Sequence, residues 1–398
     1  MTYYKLNPNH TLLKPHNMYL VFTDKIKSYE PYISKSLSQH LNCVKEKIDN
    51  YQSEWDSVKK YVNPYEYIHT IIPKQRYSVS KYKPLSRSFF KMIEICKTFN
   101  ILDSYNETPL KSFHVAEGPG GFIEALLTLR KNNKDCYHGM TLIDTKEDVP
   151  GWKKGKDFFS KYPNVTLHSG PSNDGNLFSI DNFTYCFEKY SNSMDIITGD
   201  GGFDFSIDFN NQEMMSLKLT LAQVLYALTM QKEKGTFILK VFDCYSSAMI
   251  DIIYMLSCFY KDVFICKPNT SRYANSEKYI ICKDFKYIST HFFNKTFSTM
   301  INNINNDKYL ERIINLEISY YFYNRLEEIN TIFGQQQLQF ILNTIDMIKK
   351  KDKYDKLETT KKKNIQKSID WCIKHNLEYN TIDTHNNIFL KTPTSETI

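Results

Sequence analysis

Short apolar runs alternate with amphipathic segments between residues 81 and 288. The apolar runs predict strands at 111–116, 140–144, 195–200 and 235–242. The amphipathic segments predict helices at 122–129, 213–232 and 249–256. Two later runs, 263–267 and 278–283, are separated by a polar turn and predict antiparallel edge strands. Because strands and helices alternate, the pattern predicts an α/β fold with a mostly parallel sheet and helices on both faces.

The two flanks of this region differ from it in pattern. Residues 1–80 are polar and rich in Tyr and Lys, with helical patches at 36–60. After about 290, the pattern predicts helices at 309–333 and 335–350, broken at Gly334, and then a lysine-rich run at 349–363. Such a run is usually a solvated face, and RNA contact is the alternative. The sequence thus predicts three parts: an N-terminal extension at 1–80, an α/β domain at 81–288 and a C-terminal helical region at 289–398.

A glycine turn separates the first predicted strand from the first predicted helix. Residues 114–122 have the sequence His-Val-Ala-Glu-Gly-Pro-Gly-Gly-Phe. Glycines allow positive φ and close approach to a ligand, and a strand, a glycine turn and a helix N-terminus form the nucleotide pocket of doubly wound sheets. The pattern departs from Gly-x-Gly-x-x-Gly, and Glu117 suits a cationic or hydroxyl-bearing ligand better than a pyrophosphate. A structural tight turn is the alternative.

Polar residues stand at the predicted strand ends, where open α/β sheets bind ligands. Asp144 lies about twenty residues beyond the glycine turn, at the spacing of an acid that contacts a ribose hydroxyl, although it is equally compatible with a solvated carboxylate. Lys240 interrupts an apolar strand, so we expect it to face a cleft that contains Asp200 rather than to extend from an edge strand into solvent. Such a lysine can serve as an amine base where burial and a second cation favour its neutral form. Lys91 and Glu277 are candidates for that cation and for an orienting acid.

The composition limits the class of protein further. The 398 residues include 51 Lys and Arg against 44 Asp and Glu, a net charge of +7 that permits a nucleic-acid partner without requiring one. The nine cysteines form no Cys-x-x-Cys pair and no cluster with zinc spacing, which predicts reduced thiols and no structural metal. The N-terminus lacks an apolar signal core, and no apolar run is long enough to cross a membrane. We therefore expect a soluble intracellular protein without a membrane partner.

Lys91, Asp200, Lys240 and Glu277, in this order, resemble the Lys-Asp-Lys-Glu tetrad of FtsJ-type 2′-O-ribose methyltransferases, which use S-adenosylmethionine. More closely, the chain looks like the cap-specific mRNA methyltransferases that modify the first transcribed nucleotide. Further matching segments are 63–66, 139–142, 200–203, 240–243, 267–272 and 275–279. The resemblance covers about 63–288 and implies a Rossmann-like methyltransferase sheet, mostly parallel with an antiparallel edge strand, flanked by helices, at 81–288.

The resemblance also implies roles for individual residues. Lys240 acts as general base or polarises the ribose 2′-hydroxyl, Lys91 and Asp200 tune and orient it, and Glu277 holds the amines. The implied cofactor contacts are Ser86, Glu117, Gly118, Pro119, Gly120, Gly121, Phe122, Ile123, Asp144, Asp174, Asn176 and Leu177. Asn176 stands where cellular capping enzymes commonly have Asp, so either Asn176 or Asp174 makes that contact, and Glu117 replaces a small residue. The implied RNA contacts are Asn210, Asn211, Gln212, Arg272 and Asn275. No metal ligand is implied.

The sequence thus predicts transfer of a methyl group from S-adenosylmethionine to the ribose of the first transcribed nucleotide of capped mRNA. Other capping or transcription enzymes are candidate partners. Two alternatives stay open: 2′-O-methylation of ribosomal or transfer RNA, and a non-catalytic RNA-binding subunit of a polymerase or capping complex that keeps the fold. The complete tetrad argues against the second. The Asn-, Lys-, Tyr- and Ile-rich composition is compatible with a large DNA virus, which would place the protein in host cytoplasm or virion, with the nucleus as a further alternative.

Overall fold

The computed structural model describes residues 1–24, 30–146, 149–202, 210–350 and 354–381, with only the backbone described at 354–356. Phe203 and residues 351–353, which belong to predicted segments, lie outside the described residues. The strands are β1 (Thr2–Lys5), β2 (Met18–Thr23), β3 (Lys111–Val115), β4 (Cys136–Met140), β5 (Val165–His168), β6 (Met194–Gly199), β7 (Gln231–Val241), β8 (Tyr260–Lys267), β9 (Lys278–Phe285) and β10 (Tyr309–Ile314). The helices are α1 (Lys35–Glu46), α2 (Gln52–Val62), α3 (Ser88–Thr98), α4 (Gly121–Arg130), α5 (Lys156–Phe159), α6 (Ile180–Tyr190), α7 (Gln212–Met230), α8 (Ser247–Phe259), α9 (Asn294–Ile304), α10 (Tyr320–Lys349) and α11 (Tyr354–Lys374).

Eight strands form one sheet in the order β1-β8-β9-β7-β6-β3-β4-β5. The five strands from β7 to β5 in this order run parallel, whereas β9 is antiparallel to both β7 and β8 and β1 is antiparallel to β8. The first parallel strand, β3, is central, and later strands add first on one side and then on the other. This is the doubly wound arrangement, and it confirms the predicted mostly parallel sheet with an antiparallel edge strand, which is β1.

The predicted pairing of β8 with β9 is confirmed, but its predicted position at the sheet edge is wrong. β9 lies inside the sheet between β7 and β8, and β1 covers the outer side of β8. The register pairs Thr2 with Lys267 and Lys5 with Phe264. β1 has only four residues with alternating exposure, which is too little apolar pattern to predict a strand.

The helix predicted at 213–232 ends two residues early. α7 stops at Met230, and the chain turns directly into β7 at Gln231, whose side-chain amide donates to the carbonyl oxygens of Met194 and Asp195 at 2.8 and 3.2 Å. Most of α7 is buried, because it packs against β6, β7 and the helices α6, α8 and α9.

Among the described helices, none combines the length and apolarity that a bilayer crossing requires.

The prediction of two helices broken at Gly334 is wrong. Residues 309–314 form β10, which pairs with β2 in a separate two-stranded sheet, and α10 continues through Gly334. The apolar residues of β10, Leu310, Ile313 and Ile314, have helical spacing, which explains the error. A Cβ atom on Gly334 would lie 2.8 Å from Leu37 Cδ2, so this glycine permits close packing of α1.

The chain divides into two compact units, whose bounds differ from the divisions at 80 and 288 in the sequence-based scheme. The first comprises Met1–Gln52 and Pro84–Asn343, and the second comprises Ser53–Lys83 and Thr344–Ile398. In the second unit, Asn63 Nδ2 donates to Glu66 Oε2 at 2.7 Å, and Asn364 Nδ2 on α11 donates to the Tyr61 carbonyl at 2.7 Å. The matching segment at 63–66 is therefore a buried turn held by α11.

Candidate active site

The central strands β3 and β6 lie side by side, and their carboxyl ends mark the switch point of the doubly wound sheet. The glycine turn follows β3, and Asp200 follows β6. Ligands of such sheets bind at this point, because the chain leaves the two strands in opposite directions and opens a crevice. A cavity of about 570 Å³ lies there, lined by residues that include Ser86, Gly118, Pro119, Thr141, Leu142, Asn176, Leu177, Phe178, Asp200, Lys240 and Glu277. A larger groove of about 780 Å³ between β2 and α9 shares no lining residue with it.

The glycine turn lets two main-chain segments approach each other closely. Gly120 has a φ of +109°, and a Cβ atom on Gly118 would lie 2.3 Å from the Gly151 carbonyl oxygen. The Phe122 amide donates to Glu117 Oε1 at 2.6 Å, while Glu117 Oε2 is buried without a hydrogen-bond partner among the described residues. Burial raises the pKa of Glu117 well above its ordinary 4.5, which favours the protonated form. The turn therefore holds one buried oxygen without a hydrogen-bond partner among the described residues, directly behind the residues that line the cavity.

The four residues of the predicted tetrad converge from separate elements of the first unit. Lys91 Nζ on α3 lies 2.7 and 2.8 Å from the two carboxylate oxygens of Glu277, which directly precedes β9. Lys240 Nζ on β7 lies 3.4 Å from Asp200 Oδ1 and donates to the Asp200 carbonyl at 2.6 Å. The structure thus forms two lysine–carboxylate pairs from residues up to 186 positions apart in the chain.

A tyrosine joins the two pairs. Tyr279 on β9 donates its hydroxyl hydrogen to Asp200 Oδ1 at 3.0 Å, and Lys91 Nζ lies 5.8 Å from the centre of its ring. The antiparallel register of β7 and β9 places Tyr279 opposite Lys240. Sequence reasoning quoted Tyr279 inside a matching segment but assigned it no role, and that segment was the only signal.

Burial and neighbouring charges shift the pKa values of Lys91 and Glu277, and only some of the tetrad residues face the cavity. Burial lowers the pKa of Lys91, and the positive charges of Arg87 and Lys240 lower it further. The carboxylates of Glu277 and Asp200 raise it. Burial by itself would raise the pKa of Glu277, but Lys91 and Lys240 hold it far below its ordinary range. Glu277 is therefore an anion at any physiological pH. Asp200, Lys240 and Glu277 line the cavity, whereas Lys91 lies behind them, so Lys240 is the tetrad amine that faces a ligand.

The predicted cofactor residues fall into three groups. Ser86, Gly118, Pro119, Asn176 and Leu177 line the cavity. The segment Gly120–Ile123 and Glu117 form the turn and the first turn of α4 directly behind it. Asp174 and Asp144 are not among the lining residues. Asp174 Oδ1 accepts the Asn176 amide at 2.9 Å and so supports the turn that carries Asn176. Direct contact of each residue with the cofactor remains a prediction.

Asp144 lies outside the cavity because β4 lies four residues earlier in the chain than the predicted strand at 140–144. The strand ends at Met140 rather than at Asp144, and the cavity is lined instead by Thr141 and Leu142. Asp144 Oδ1 accepts the Lys146 amide at 3.1 Å in a local turn. The apolar residues Leu142 and Ile143 favoured a strand at 140–144, but in the structure both follow the strand and are exposed.

The residues predicted to contact RNA lie near the start of α7 and in the loop between β8 and β9. Asn210 and Asn211 precede α7, and Gln212 is its first residue. Gln212 Oε1 accepts the Ser276 hydroxyl at 2.7 Å, and Asn275 Oδ1 accepts Lys267 Nζ at 3.0 Å. Arg272 lies in the same loop. These hydrogen bonds tie the loop to the protein, and RNA contact by the five residues remains a prediction.

Gln223 on α7 is a further residue that sequence reasoning missed. Its Oε1 accepts the Gly201 amide at 2.9 Å, and its Nε2 donates to the Leu219 carbonyl at 3.1 Å. It thereby fixes the chain immediately after Asp200. Its only sequence signal is a polar residue inside an apolar helix.

No group of three or more His, Cys, Asp or Glu side chains suited to a metal ion occurs in the part of the chain that the structure describes.

The doubly wound sheet, the glycine turn at its switch point and the lysine–carboxylate site define a nucleotide-cofactor enzyme of the methyltransferase class. The profile of the FtsJ-like methyltransferase family matches residues 84–285, just over half of the chain. The chain belongs to this family, as the resemblance predicted.

Curated relatives are cap-specific mRNA (nucleoside-2′-O-)-methyltransferases. Enzyme 2 of Drosophila melanogaster is 25% identical over 277 residues, which cover 63% of this chain and 37% of that protein. Enzyme 1 of Homo sapiens is 31% identical over 242 residues, which cover 56% of this chain and 27% of that protein. Enzyme 1 of Trypanosoma brucei brucei is 31% identical over 175 residues, covering 43% and 46%. The chain spans less than half the length of these relatives.

Among solved structures, human methyltransferase-like protein 13 in complex with SAH aligns with a TM-score of 0.35 and 12% identity, covering 59% of this chain and 97% of that one.

S-adenosylmethionine is the cofactor of this family, and the cavity fits it. Among the lining residues, Leu142, Leu177 and Phe178 offer apolar surface that suits an adenine ring, whereas Asp200, Lys240 and Glu277 are charged. The unsatisfied Glu117 Oε2 supplies a polar group beside the glycine turn. A ligand with an aromatic end and a charged amino-acid end matches this division.

Proposed function

We propose that this chain methylates the ribose 2′-hydroxyl of the first transcribed nucleotide of capped mRNA, with S-adenosylmethionine as donor. The observation that carries the proposal is the Lys240–Asp200 pair at the cavity wall, together with Glu277, which also lines the cavity and pairs with Lys91 behind it. An amine that faces a cofactor cavity can capture a hydroxyl proton when it is neutral, and the contacts with Asp200 fix its direction. The curated relatives are, by their names, cap-specific mRNA methyltransferases that act on a nucleoside 2′-oxygen.

S-adenosylmethionine supplies an activated methyl group, so the protein's main tasks are to position the hydroxyl and to manage its proton. Lys240 Nζ would polarise the 2′-hydroxyl and, as the neutral amine, take up its proton, while the oxygen gains the methyl group and the methyl–sulfur bond of the donor breaks to leave a neutral thioether. Asp200 holds this amine through its carboxylate and its carbonyl oxygen, which fixes the direction of the Nζ hydrogens. Lys91 and Glu277 set the charge around the pair.

The net charge of +7 favours an RNA substrate, whose binding would weaken with added salt. Other capping or transcription enzymes are the partners we propose for the complete pathway. We further propose an intracellular site of action, where capped transcripts are made or used. A source in a large DNA virus remains a prediction from composition.

The decisive experiment supplies labelled S-adenosylmethionine and three RNAs of one sequence: with an m7G cap, with a 5′-triphosphate, and with a cap whose first ribose is already 2′-O-methylated. We expect label only on the first RNA, in the ribose of its first nucleotide. Label on the uncapped RNA or at internal positions would support action on other RNA classes. Cofactor binding without label on any RNA would support the non-catalytic alternative.

A further inference from the structure

The loop that delivers Glu277 to the cavity is held by one buried lysine. Lys267, the last residue of β8, is 2% exposed. Its Nζ donates to the Asn275 carbonyl at 2.6 Å, to Asn275 Oδ1 at 3.0 Å and to the Glu277 carbonyl at 2.8 Å. An ammonium group has three hydrogens, so these acceptors use all of them. Lys267 therefore closes the loop at 268–277 on itself, next to Glu277.

A second contact acts on the Glu277 side chain itself. Ser271, in the same loop and fully buried, donates its hydroxyl hydrogen to Glu277 Oε1 at 2.8 Å. Lys91 Nζ approaches the same oxygen at 2.7 Å. The direction of this carboxylate is thus set by one group from its own loop and one from α3.

The start of the loop is anchored to the same helix. The amides of Asn269 and Thr270 donate to the two carboxylate oxygens of Glu94 at 2.9 and 3.2 Å. Glu94 follows Lys91 by three residues on α3, so both side chains lie on one helix face. One face of α3 therefore binds both ends of the loop: Glu94 accepts hydrogen bonds from its first residues, and Lys91 pairs with Glu277 at its end.

The burial of Lys267 disfavours its charged form. Burial, followed by the nearby ammonium of Lys278, lowers its pKa to about 7, while Glu277 and Asp243 act in the opposite direction. Lys267 and Ser271 do not line the cavity. Neither residue is placed to touch a ligand, and both contact Glu277.

We propose that Lys267 and Ser271 are positioning residues for methyl transfer, which fix the loop at 268–277 so that the Glu277 carboxylate meets Lys91 at the cavity wall. The proposal rests on the proposed function, because methyl transfer is its readout. A displacement of Glu277 by about 1 Å would disrupt its pairing with Lys91, and errors of this size slow enzymes about a hundredfold. A purely structural lysine and serine would instead affect stability without acting through Glu277.

The test compares Ser271→Ala and Lys267→Met with the wild type in kcat, in KM for RNA and in the Kd for S-adenosylhomocysteine. Lys286→Met is the control, because Lys286 Nζ likewise donates to three acceptors, the main-chain carbonyls of Asn9, Ser257 and Cys258, outside the cavity. We expect kcat to fall about tenfold or more in the two test variants, with Kd within about twofold of the wild type and kcat unchanged in the control.

A double-mutant cycle with Glu277→Gln distinguishes positioning from a structural role. If Ser271 acts through Glu277, Ser271→Ala with Glu277→Gln is no slower than Glu277→Gln alone, within about twofold. Multiplying losses, or an unchanged kcat in Ser271→Ala, would overturn the proposal. Ser271→Ala decides the question by itself if Lys267→Met does not fold. A wild type that methylates no RNA removes the proposed function and this proposal together, whereas an active wild type with a fully active Ser271→Ala variant removes this proposal alone.

Discussion

The Tyr279 hydroxyl donates to Asp200 Oδ1 at 3.0 Å, so a strand that runs antiparallel to its neighbours supplies a group to the edge where the parallel strands end. The same ring lies 5.8 Å from Lys91 Nζ. Because β9 lies inside the sheet beside β7, Glu277 immediately before it lines the cavity, and Tyr279 near its start joins the two lysine–carboxylate pairs. The antiparallel strand is therefore part of the site as well as of the sheet.

Replacing Tyr279 by Phe removes this hydrogen bond and leaves the packing of the ring intact. A hydrogen bond to a charged group contributes roughly 1.5–3 kcal/mol, so we expect kcat for methyl transfer to fall about tenfold or more. Tyr260→Phe is the matched control, because Tyr260 is also buried and donates to a single side chain, Gln231 Oε1, at 3.0 Å. Equal kcat values for the two variants would contradict the role of Tyr279.

Replacing Lys240 by Ala removes the only tetrad amine that faces the cavity. A positioned acid or base contributes about 10²–10⁴-fold, so we expect kcat to fall by that factor while RNA binding is retained. Single-turnover methylation and filter binding of the same capped RNA measure the two quantities. Lys232→Ala is the control, since Lys232 lies on the same strand and also pairs with an aspartate, Asp195, at 3.0 Å. Undiminished methylation by Lys240→Ala would exclude Lys240 from the reaction.

Two neighbouring histidines make stability depend on pH. His138 Nδ1 lies 3.2 Å from His168 Nε2, and burial lowers the pKa of each to about 4 from the ordinary 6.5. Between these values the unfolded chain binds more protons than the folded one, so the free energy of unfolding falls as pH drops from about 6.5 to about 4. The slope is at most about 1.4 kcal/mol per pH unit for each histidine.

Chemical denaturation of the wild type and of His138→Gln between pH 7 and 5 measures this effect. We expect the wild type to lose more stability than the variant as pH falls. Glu124, whose pKa burial raises to about 7, acts in the opposite sense, and it cancels in the difference between the two proteins. A difference that stays constant over this interval would rule out the neutral histidine pair.

The continuity of α10 through Gly334 can be tested by a pair of substitutions. Alanine favours a helix interior over glycine by about 1 kcal/mol, but here its Cβ atom would contact Leu37 at 2.8 Å. We therefore expect Gly334→Ala in a Leu37→Ala background to raise the free energy of unfolding by about 1 kcal/mol. A loss of stability in that background would indicate a helix break at Gly334.

The errors of the sequence-based predictions have a common cause. Leu310, Ile313 and Ile314 satisfy helical spacing, yet their segment pairs with β2 about 290 residues earlier in the chain. β1 is paired with β8, which is equally remote in sequence. The local spacing of apolar residues does not reveal such partners, because strand pairing depends on residues that are distant along the chain.

The amino-acid pattern alone was sufficient for the alternation of strands and helices, the glycine turn, the family resemblance and the four residues of the tetrad. Folding decided which charges share a pair, that Lys240 rather than Lys91 faces the cavity, and that Asp144 lies outside it. It also brought Tyr279, Gln223 and Lys267 to the site. Residue types and spacing carry local structure, whereas the direction and burial of a side chain depend on register and packing across the whole sheet.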